Sequence, residues 1–288
     1  MLHYSERYDV AVHPEDPAKA LREINAIIPA LRTPATWKHC FGAIDLTTLN
    51  ATDTVEKVRK LTERVNRFPS HFADVPPVAA ICVYPAFVRT VRETLTLSSV
   101  QIAAVGAGFP ASQTFLSVKC DECRLAVEQG ATEIDVVLSL CAFLAGDYAA
   151  AADEIRKIKQ VIGNAHLKVI LETGALSPPQ IADASFLAMD AGADFIKTST
   201  GKIEPAATPE AVWIMAHCIR RFYQQTGRKV GLKPAGGIAA SDDAITYYAI
   251  VRNVLGDEWL TPALFRFGAS RMANNLLCSL TGDTITYF

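Results

Sequence analysis

The sequence predicts an α/β protein, a single (β/α)8 TIM barrel with an N-terminal helical extension. Three observations predict it. Eight short apolar runs recur along the 288 residues, spaced by roughly 25–35 residues, the spacing of βα units. The segments between these runs carry helical periodicity. The first run ends in Asp45-Leu46-Thr47-Thr48-Leu49, without the Gly-rich turn that an open dinucleotide-binding sheet places after its first strand. Residues 1–40 read as the extension and 41–288 as the barrel, with no internal repeat or low-complexity linker between them.

In order along the chain, Ala18–Ile28 looks helical, with Pro34 ending that region. The extension either covers the open bottom of the barrel or lies in a dimer contact; the sequence does not choose. Strand one is Phe41–Thr47. Thr54–Asn66 follows as a helix, with Val55, Val58, Leu61 and Val65 on one face and charges between them. Strand two, Val78–Tyr84, carries Cys82, and strand three is Gln101–Ala107. Thr114–Gln129 reads as a helix on which Cys120 and Cys123 share a face. No second pair completes a zinc site, so both read as small, partly buried residues. Strand four, Glu133–Leu138, contains Asp135, and Tyr148–Ile162 is the helix after it.

Strand five, Leu167–Glu172, ends on Glu172. Ser177 caps a helix opened by Pro178-Pro179-Gln180. Strand six, Asp194–Thr200, holds Lys197. Thr208 caps the helix Pro209–Gln225, with Pro at its first position. Strand seven is Lys229–Lys233 and strand eight Leu264–Gly268.

Composition narrows the class. Hydrophobic content of 50% with 20% charged residues supports a buried core and argues against disorder. A net charge of -2 gives no global pull toward nucleic acid or an anionic membrane. No apolar run is long enough to span a bilayer, and Met1–Asp16 lacks the apolar core of a signal peptide. Seven cysteines, an odd number, read as reduced thiols in a cytoplasmic setting. The six histidines (His3, His13, His39, His71, His166, His217) form no metal-binding spacing, which disfavours a metal mechanism. The expected partners are small molecules, with a homodimer or higher homo-oligomer left open.

Chemistry is sought at the C-terminal ends of the strands, where barrel active sites lie. Ala193–Thr200 is apolar and β-branched, bounded by Gly192 and Gly201, yet it contains Lys197. Phe195 and Lys197 share one face and Ile196 and Thr198 the other. Neither face looks solvated, so Lys197 is either paired with a carboxylate or has its charge suppressed. A suppressed ammonium is an amine nucleophile. Lys233 on strand seven and Asp135 on strand four also lie inside apolar runs. Neutralising a lysine of ordinary pKa about 10.4 near pH 7 takes roughly 4–5 kcal/mol. A second ammonium at about 5 Å supplies on the order of 3 kcal/mol at an effective dielectric near 20, and partial burial the rest. Asp135 offsets the pair and can shuttle protons. Gly236-Gly237 after strand seven and Gly268-Ala269-Ser270 after strand eight sit where this fold commonly holds phosphate. Ser270 either donates a hydroxyl there or caps the last helix, and both can hold. Thr200-Gly201-Lys202 adds a third donor region, in which Lys202 faces the phosphate or is a solvated loop charge.

Five motifs stand in order: Asp45-Leu46-Thr47-Thr48-Leu49, Ala80-Ile81-Cys82-Val83-Tyr84-Pro85, Phe195-Ile196-Lys197-Thr198-Ser199-Thr200-Gly201-Lys202, Lys233-Pro234-Ala235-Gly236-Gly237 and Arg266-Phe267-Gly268-Ala269-Ser270. From about Phe41 to Leu277 the chain resembles the deoxyribose-phosphate aldolase family. That resemblance implies a class I, Schiff-base aldolase, a lyase that reversibly cleaves 2-deoxy-D-ribose 5-phosphate to glyceraldehyde 3-phosphate and acetaldehyde, in deoxyribose phosphate catabolism, without metal or organic cofactor. Lys197 matches the imine-forming lysine, Lys233 the lysine that perturbs it, and Asp135 the carboxylate that relays protons. Asp45, Thr47 and Cys82 match pocket residues near the substrate hydroxyl and reacting carbon. Gly201, Lys202, Gly236, Gly237, Gly268 and Ser270 fall where the phosphate is held, with Thr200 beside them. Three departures stand out: Gly106–Ser112 lacks the family's Asn-Phe-Pro-x-Gly, Arg271 replaces a frequent second Ser, and Tyr287 rather than the last residue carries the terminal tyrosine, a candidate site residue. Two other classes compete: a related Schiff-base aldolase or transaldolase on another phosphosugar, and a non-catalytic phosphosugar-binding barrel.

Overall fold

The computed structural model describes Tyr8 and residues 17–288. The readings that fall on His3, His13 and the signal-peptide region lie outside the described residues. Eight strands form one parallel sheet: β1 (Ile44–Thr47), β2 (Ala80–Val83), β3 (Gln101–Gly106), β4 (Glu133–Val137), β5 (His166–Ile170), β6 (Phe195–Lys197), β7 (Gly231–Lys233) and β8 (Phe267–Ala269). Their order is β7-β6-β5-β4-β3-β2-β1-β8. Isolated bridges at Leu232–Phe265 and Ala235–Gly268 join β7 to the β8 segment and close the barrel. All eight predicted runs thus overlap strands, several shorter than the run that announced them, with β5 starting one residue before its run and β8 ending one residue after. No helix among the described residues is long and apolar enough to cross a membrane.

The helices follow the caps that the sequence shows. Thr54 Oγ1 accepts from Lys57 N at the head of Val55–His71, and Thr208 Oγ1 from Ala211 N at the head of Pro209–Thr226. At the head of Pro178–Asp190, Gln180 Oε1 reaches back and accepts from Ser177 N at 2.9 Å. The extension differs from expectation. Pro34 begins a second helix, Pro34–Gly42, at whose N-cap Thr33 accepts from Thr36 N at 3.3 Å. Phe41, read as strand, lies in that helix, and β1 starts at Ile44. The first helix, Pro17–Leu31, packs on the outer wall against Ser241–Leu255 and Pro209–Thr226.

Strand alternation divides the interior. Ile44, Leu46, Ile81, Val83, Ile134, Val136, Val169, Ile196 and Leu232 face outward and bury against the helices. Inside the barrel, Ala80, Cys82, Ala103 and Val105 of β2 and β3 form a small apolar wall with Leu49, Tyr84 and Phe109. The rest of the interior is a charged cluster with the ring of Phe195 against it. Gly231 of β7 lets that interior fit: a Cβ there would run into the ring of Phe195 on β6. Gly231→Ala is expected to destabilise the fold by about 1–3 kcal/mol through overpacking, read by urea denaturation. Phe195→Leu in the same chain should recover most of the loss, and a strictly additive double mutant would contradict this account.

Candidate active site

Seven charged side chains meet inside the barrel, all of them buried: Asp45, Glu133, Asp135, Lys168, Lys197, Lys233 and Arg266. Asp135 Oδ2 accepts from Lys197 Nζ at 2.8 Å and from Lys233 Nζ at 2.8 Å. One carboxylate oxygen therefore holds both lysines singled out in the sequence. The register explains the meeting, because Lys197 and Lys233 are direct partners across β6 and β7. Lys233 also donates to Asp45 Oδ2 at 2.5 Å, and Asp45 Oδ1 takes Arg266 Nη1 at 2.5 Å. Deeper, Arg266 Nη2 donates to Glu133 Oε1 at 2.8 Å, and Lys168 Nζ donates to Glu133 Oε2. Lys168 Nζ lies 3.3 Å from Asp135 Oδ1 and 3.6 Å from Asp45 Oδ2.

Sequence reasoning missed Lys168, Glu133 and the role of Arg266. Lys168 carries the signal that exposed Lys197, a lysine inside the apolar run Leu167-Lys168-Val169-Ile170-Leu171. Glu133 precedes Asp135 by two residues and so shares its inward face.

The two lysines at the mouth end of the cluster titrate in opposite directions. Burial opposes charge on both. On Lys233 the carboxylates of Asp135 and Asp45 outweigh burial and raise its pKa above the ordinary lysine value. On Lys197 burial, joined by the Lys233 charge, outweighs the single carboxylate Asp135 and lowers it. Asp135 is held well below the usual carboxylate range: burial opposes this, and Lys168, Lys197 and Lys233 overcome it. Cys82, fully buried on β2, has its thiol pKa pushed up by that burial, which makes it a neutral wall residue at neutral pH.

Above Lys197 lies a cavity of about 230 Å³, lined by Thr47, Lys197, Thr200, Gly201, Lys202, Gly236, Gly237, Gly268, Ser270 and Arg271, among others. It gathers the predicted phosphate residues and the amine into one space. Thr198 knits two of its loops, since its hydroxyl donates to Ala235 O at 3.2 Å and accepts from Ala235 N at 3.0 Å. Glu172, left-handed at φ 57°, takes Thr200 N at 3.1 Å and Thr200 Oγ1 at 2.6 Å. Glu172 therefore braces the Thr200-Gly201-Lys202 loop. Lys202 Nζ donates to Leu49 O at 3.0 Å across the mouth. Gly236 has φ 81°, and a Cβ on it would lie 2.7 Å from Ala206 Cβ and 3.0 Å from Gly201 Cα. Ser270 precedes the last helix, Arg271–Thr281, but its side chain makes no capping bond, so its hydroxyl is free to serve the cavity.

Two expectations are placed differently. Asp45 is fully buried with both oxygens engaged by Lys233 and Arg266, which puts it beneath the cavity as the holder of Lys233. Tyr287 lies outside the barrel, donating its hydroxyl to Arg64 O at 2.9 Å and packing edge-on against Phe68 and Phe72. Asn274 fixes it there: its Oδ1 accepts from Tyr287 N and Phe288 N at 3.0 and 2.9 Å. The altered loop after β3 is tightly wound, with Ala107 at φ 57° and Ser112 at φ 55°. Its Phe109 sits edge-on to Tyr84 with ring centres 6.2 Å apart.

Comparison with known proteins follows the same lines. The family model described as DeoC/LacD family aldolase matches residues 40–249. The deoxyribose-phosphate aldolase of Homo sapiens is 44% identical over 246 residues, covering 81% of this chain and 77% of that protein. The deoxyribose-phosphate aldolase of Mus musculus matches to the same extent, 44% over 246 residues with 81% and 77% covered. The solved tetrameric deoxyribose phosphate aldolase of Aeropyrum pernix superposes with a TM-score of 0.69 at 24% identity, covering 90% of this chain and 97% of that one. At that identity the likeness speaks for the fold.

Proposed function

The chain belongs to the DeoC/LacD family of aldolases, and from that premise we propose that it reversibly cleaves 2-deoxy-D-ribose 5-phosphate into glyceraldehyde 3-phosphate and acetaldehyde through an imine on Lys197. The observation that carries this reading is the single oxygen, Asp135 Oδ2, shared by the buried amines of Lys197 and Lys233 beneath a cavity lined by the glycine loops.

The chemistry follows from the charges. Four buried cations face three buried carboxylates in the barrel interior. Loss of one proton balances them three against three. Lys197 is the group that gives it up, because it has one carboxylate partner and lines the cavity, whereas Lys233 has two. The neutral amine adds to the carbonyl carbon of the open-chain sugar, and loss of water leaves a protonated imine. Removal of the proton from the hydroxyl on the third carbon lets the bond between carbons two and three break. Its electron pair moves into the imine, giving an enamine and free glyceraldehyde 3-phosphate. Protonation of the enamine carbon and hydrolysis release acetaldehyde and restore Lys197. Asp135, in contact with both amines, is the relay for these protons. Lys233 stays charged and keeps the neighbouring amine neutral.

The phosphate is held by the backbone N–H groups of the loops at Gly201 and Gly236-Gly237, with Gly268, whose own N–H goes to Pro234 O, on the facing bank and Ser270 and Lys202 at the rim. Cleavage of deoxyribose 5-phosphate coupled to triose detection tests the reaction, and its products separate it from a transaldolase. Borohydride with acetaldehyde tests the chemistry: a reduced two-carbon adduct is expected on Lys197, and turnover without any adduct would overturn the mechanism. Gly236→Ala, which crowds Gly201 and Ala206, is expected to raise KM for the phosphorylated sugar by about tenfold, the loss of one or two hydrogen bonds at roughly 1 kcal/mol each. Its kcat should change little, and its kcat/KM for unphosphorylated deoxyribose should match the unmodified enzyme. Equal losses on both sugars would remove the phosphate assignment.

A further inference from the structure

The lower half of the charged cluster has no part in the steps above. Glu133 and Arg266 lie at the bottom of the barrel, beside a cavity of about 690 Å³ that opens at the strand N-termini. A ligand entering there has no direct path to the reacting carbon, because Lys168, Asp45 and Asp135 fill the space between. Yet all three of Glu133, Arg266 and Lys168 are charged and buried, an expensive arrangement where a barrel of this fold usually packs Val, Ile and Leu.

We propose that Lys168, clamped by Glu133 and Arg266, is a positioning residue for the imine-forming amine: it occupies the far side of Asp135 and leaves the interior with one cation too many, and Lys197 is the group that gives way. This rests on the reading of Lys197 as the nucleophile. Glu133 binds Lys168 through Oε2 and Arg266 through Oε1. Arg266 in turn holds Asp45 Oδ1, which leaves Asp45 Oδ2 for Lys233. Lys168 Nζ faces Asp135 Oδ1 at 3.3 Å, while Oδ2 serves the two mouth lysines. The result is a ladder of alternating charge from the barrel bottom to the amine. Removal of Lys168 would leave Asp135 with only Lys197 and Lys233, and three carboxylates facing three cations with every lysine protonated.

The other groups facing this ladder do not supply that surplus. On β1 there is Asp45; on β2, the neutral thiol of Cys82; on β3, the uncharged Gln101, Ala103 and Val105. Beyond β5, Glu172 is taken by Thr200. At the bottom, His166 Nδ1 stands 4.0 Å from Glu133 Oε1 with its side chain half exposed. Lys168 itself keeps its charge: burial opposes it, but Asp135, Glu133 and Asp45 together raise its pKa.

The test is the pH dependence of borohydride trapping on Lys197 with acetaldehyde, read by peptide mass, beside the kcat/KM profile. In Lys168→Met the acid limb of both should move up by about one pH unit, equal to about tenfold less adduct on the limb. Lys168→Arg keeps the charge and should keep the limb. Lys168→Met combined with Glu133→Gln removes one charge of each sign and should return the limb toward that of the unmodified enzyme. A folded Lys168→Met enzyme with an unmoved limb, or a double variant that does not return, overturns the proposal. If Lys168→Met does not fold, Glu133→Gln alone decides: its limb should move down, and an unmoved limb overturns the proposal. Absence of any adduct in the unmodified enzyme at every pH would instead remove the nucleophile assignment, and this inference with it.

Discussion

Replacing Lys197 by leucine is expected to abolish turnover, by a factor on the order of 10⁴ or more, as removal of a covalent nucleophile does. Thermal stability should survive. Lys197 is the odd cation among seven buried charges, so its removal leaves three cations facing three carboxylates. Asp135 Oδ2 keeps its bond to Lys233, and leucine fills the stem's space without a charge to desolvate. A melting curve alongside the coupled assay therefore separates loss of chemistry from loss of fold. Residual turnover within about tenfold of the unmodified enzyme, with the borohydride adduct found on Lys233 or Lys202, would refute the assignment.

Asp135→Asn should produce the opposite pairing of effects. Two carboxylates would then face four cations, so the Lys197 amine becomes easier to deprotonate and the acid limb moves to lower pH. Imine formation with acetaldehyde should persist. Turnover should nevertheless fall by about 10²–10⁴, the usual worth of a positioned acid–base group, because no carboxylate takes the proton from the hydroxyl on the third carbon and returns one to the enamine carbon. Breaking a buried pair by removing one partner costs about 3–5 kcal/mol, so a lowered melting temperature is expected too. Trapping and turnover lost in equal measure would make Asp135 a holder of Lys197 rather than a proton relay.

The fold was legible because the outward faces of the strands are apolar in short runs, and helix caps punctuate the sequence between them. What failed was local. Thr33-Pro34 is the same cap-and-proline signal as Thr208-Pro209, yet after the periodic stretch Ala18–Ile28 the proline reads as an end rather than a start. Phe41 is as apolar as a strand residue, yet its helix buries it against Phe68, with ring centres 4.8 Å apart. In the site, Lys197, Lys233 and Asp135 stood out as charges in apolar runs. Lys168 satisfied the same rule and was passed over. Arg266, between Phe265 and Phe267, satisfies it too, whereas Glu133 begins its strand and interrupts no apolar run. Their meeting exists only once the barrel closes. Tyr287 shows the limit of position in sequence as a guide: near the terminus its place depends on Asn274 and the aromatic patch of Phe68 and Phe72, which no local pattern reveals.

The closing seam of the barrel has a consequence for how substrate and fold depend on each other. Between β7 and β8 the barrel closes through bridges at Leu232–Phe265 and Ala235–Gly268, with backbone hydrogen bonds from Leu232 N to Leu264 O, Arg266 N to Leu232 O and Gly268 N to Pro234 O. The loops that leave these same strands, at Gly236-Gly237 and Gly268-Ser270, form opposite banks of the cavity above Lys197. On the proposed reading of these loops, a phosphate gripped by both banks acts as a clasp on a hoop, joining the two ends of the sheet. Since it grips only the closed hoop, every bound substrate shifts the balance away from seam opening. The melting temperature would then rise with the concentration of phosphorylated substrate.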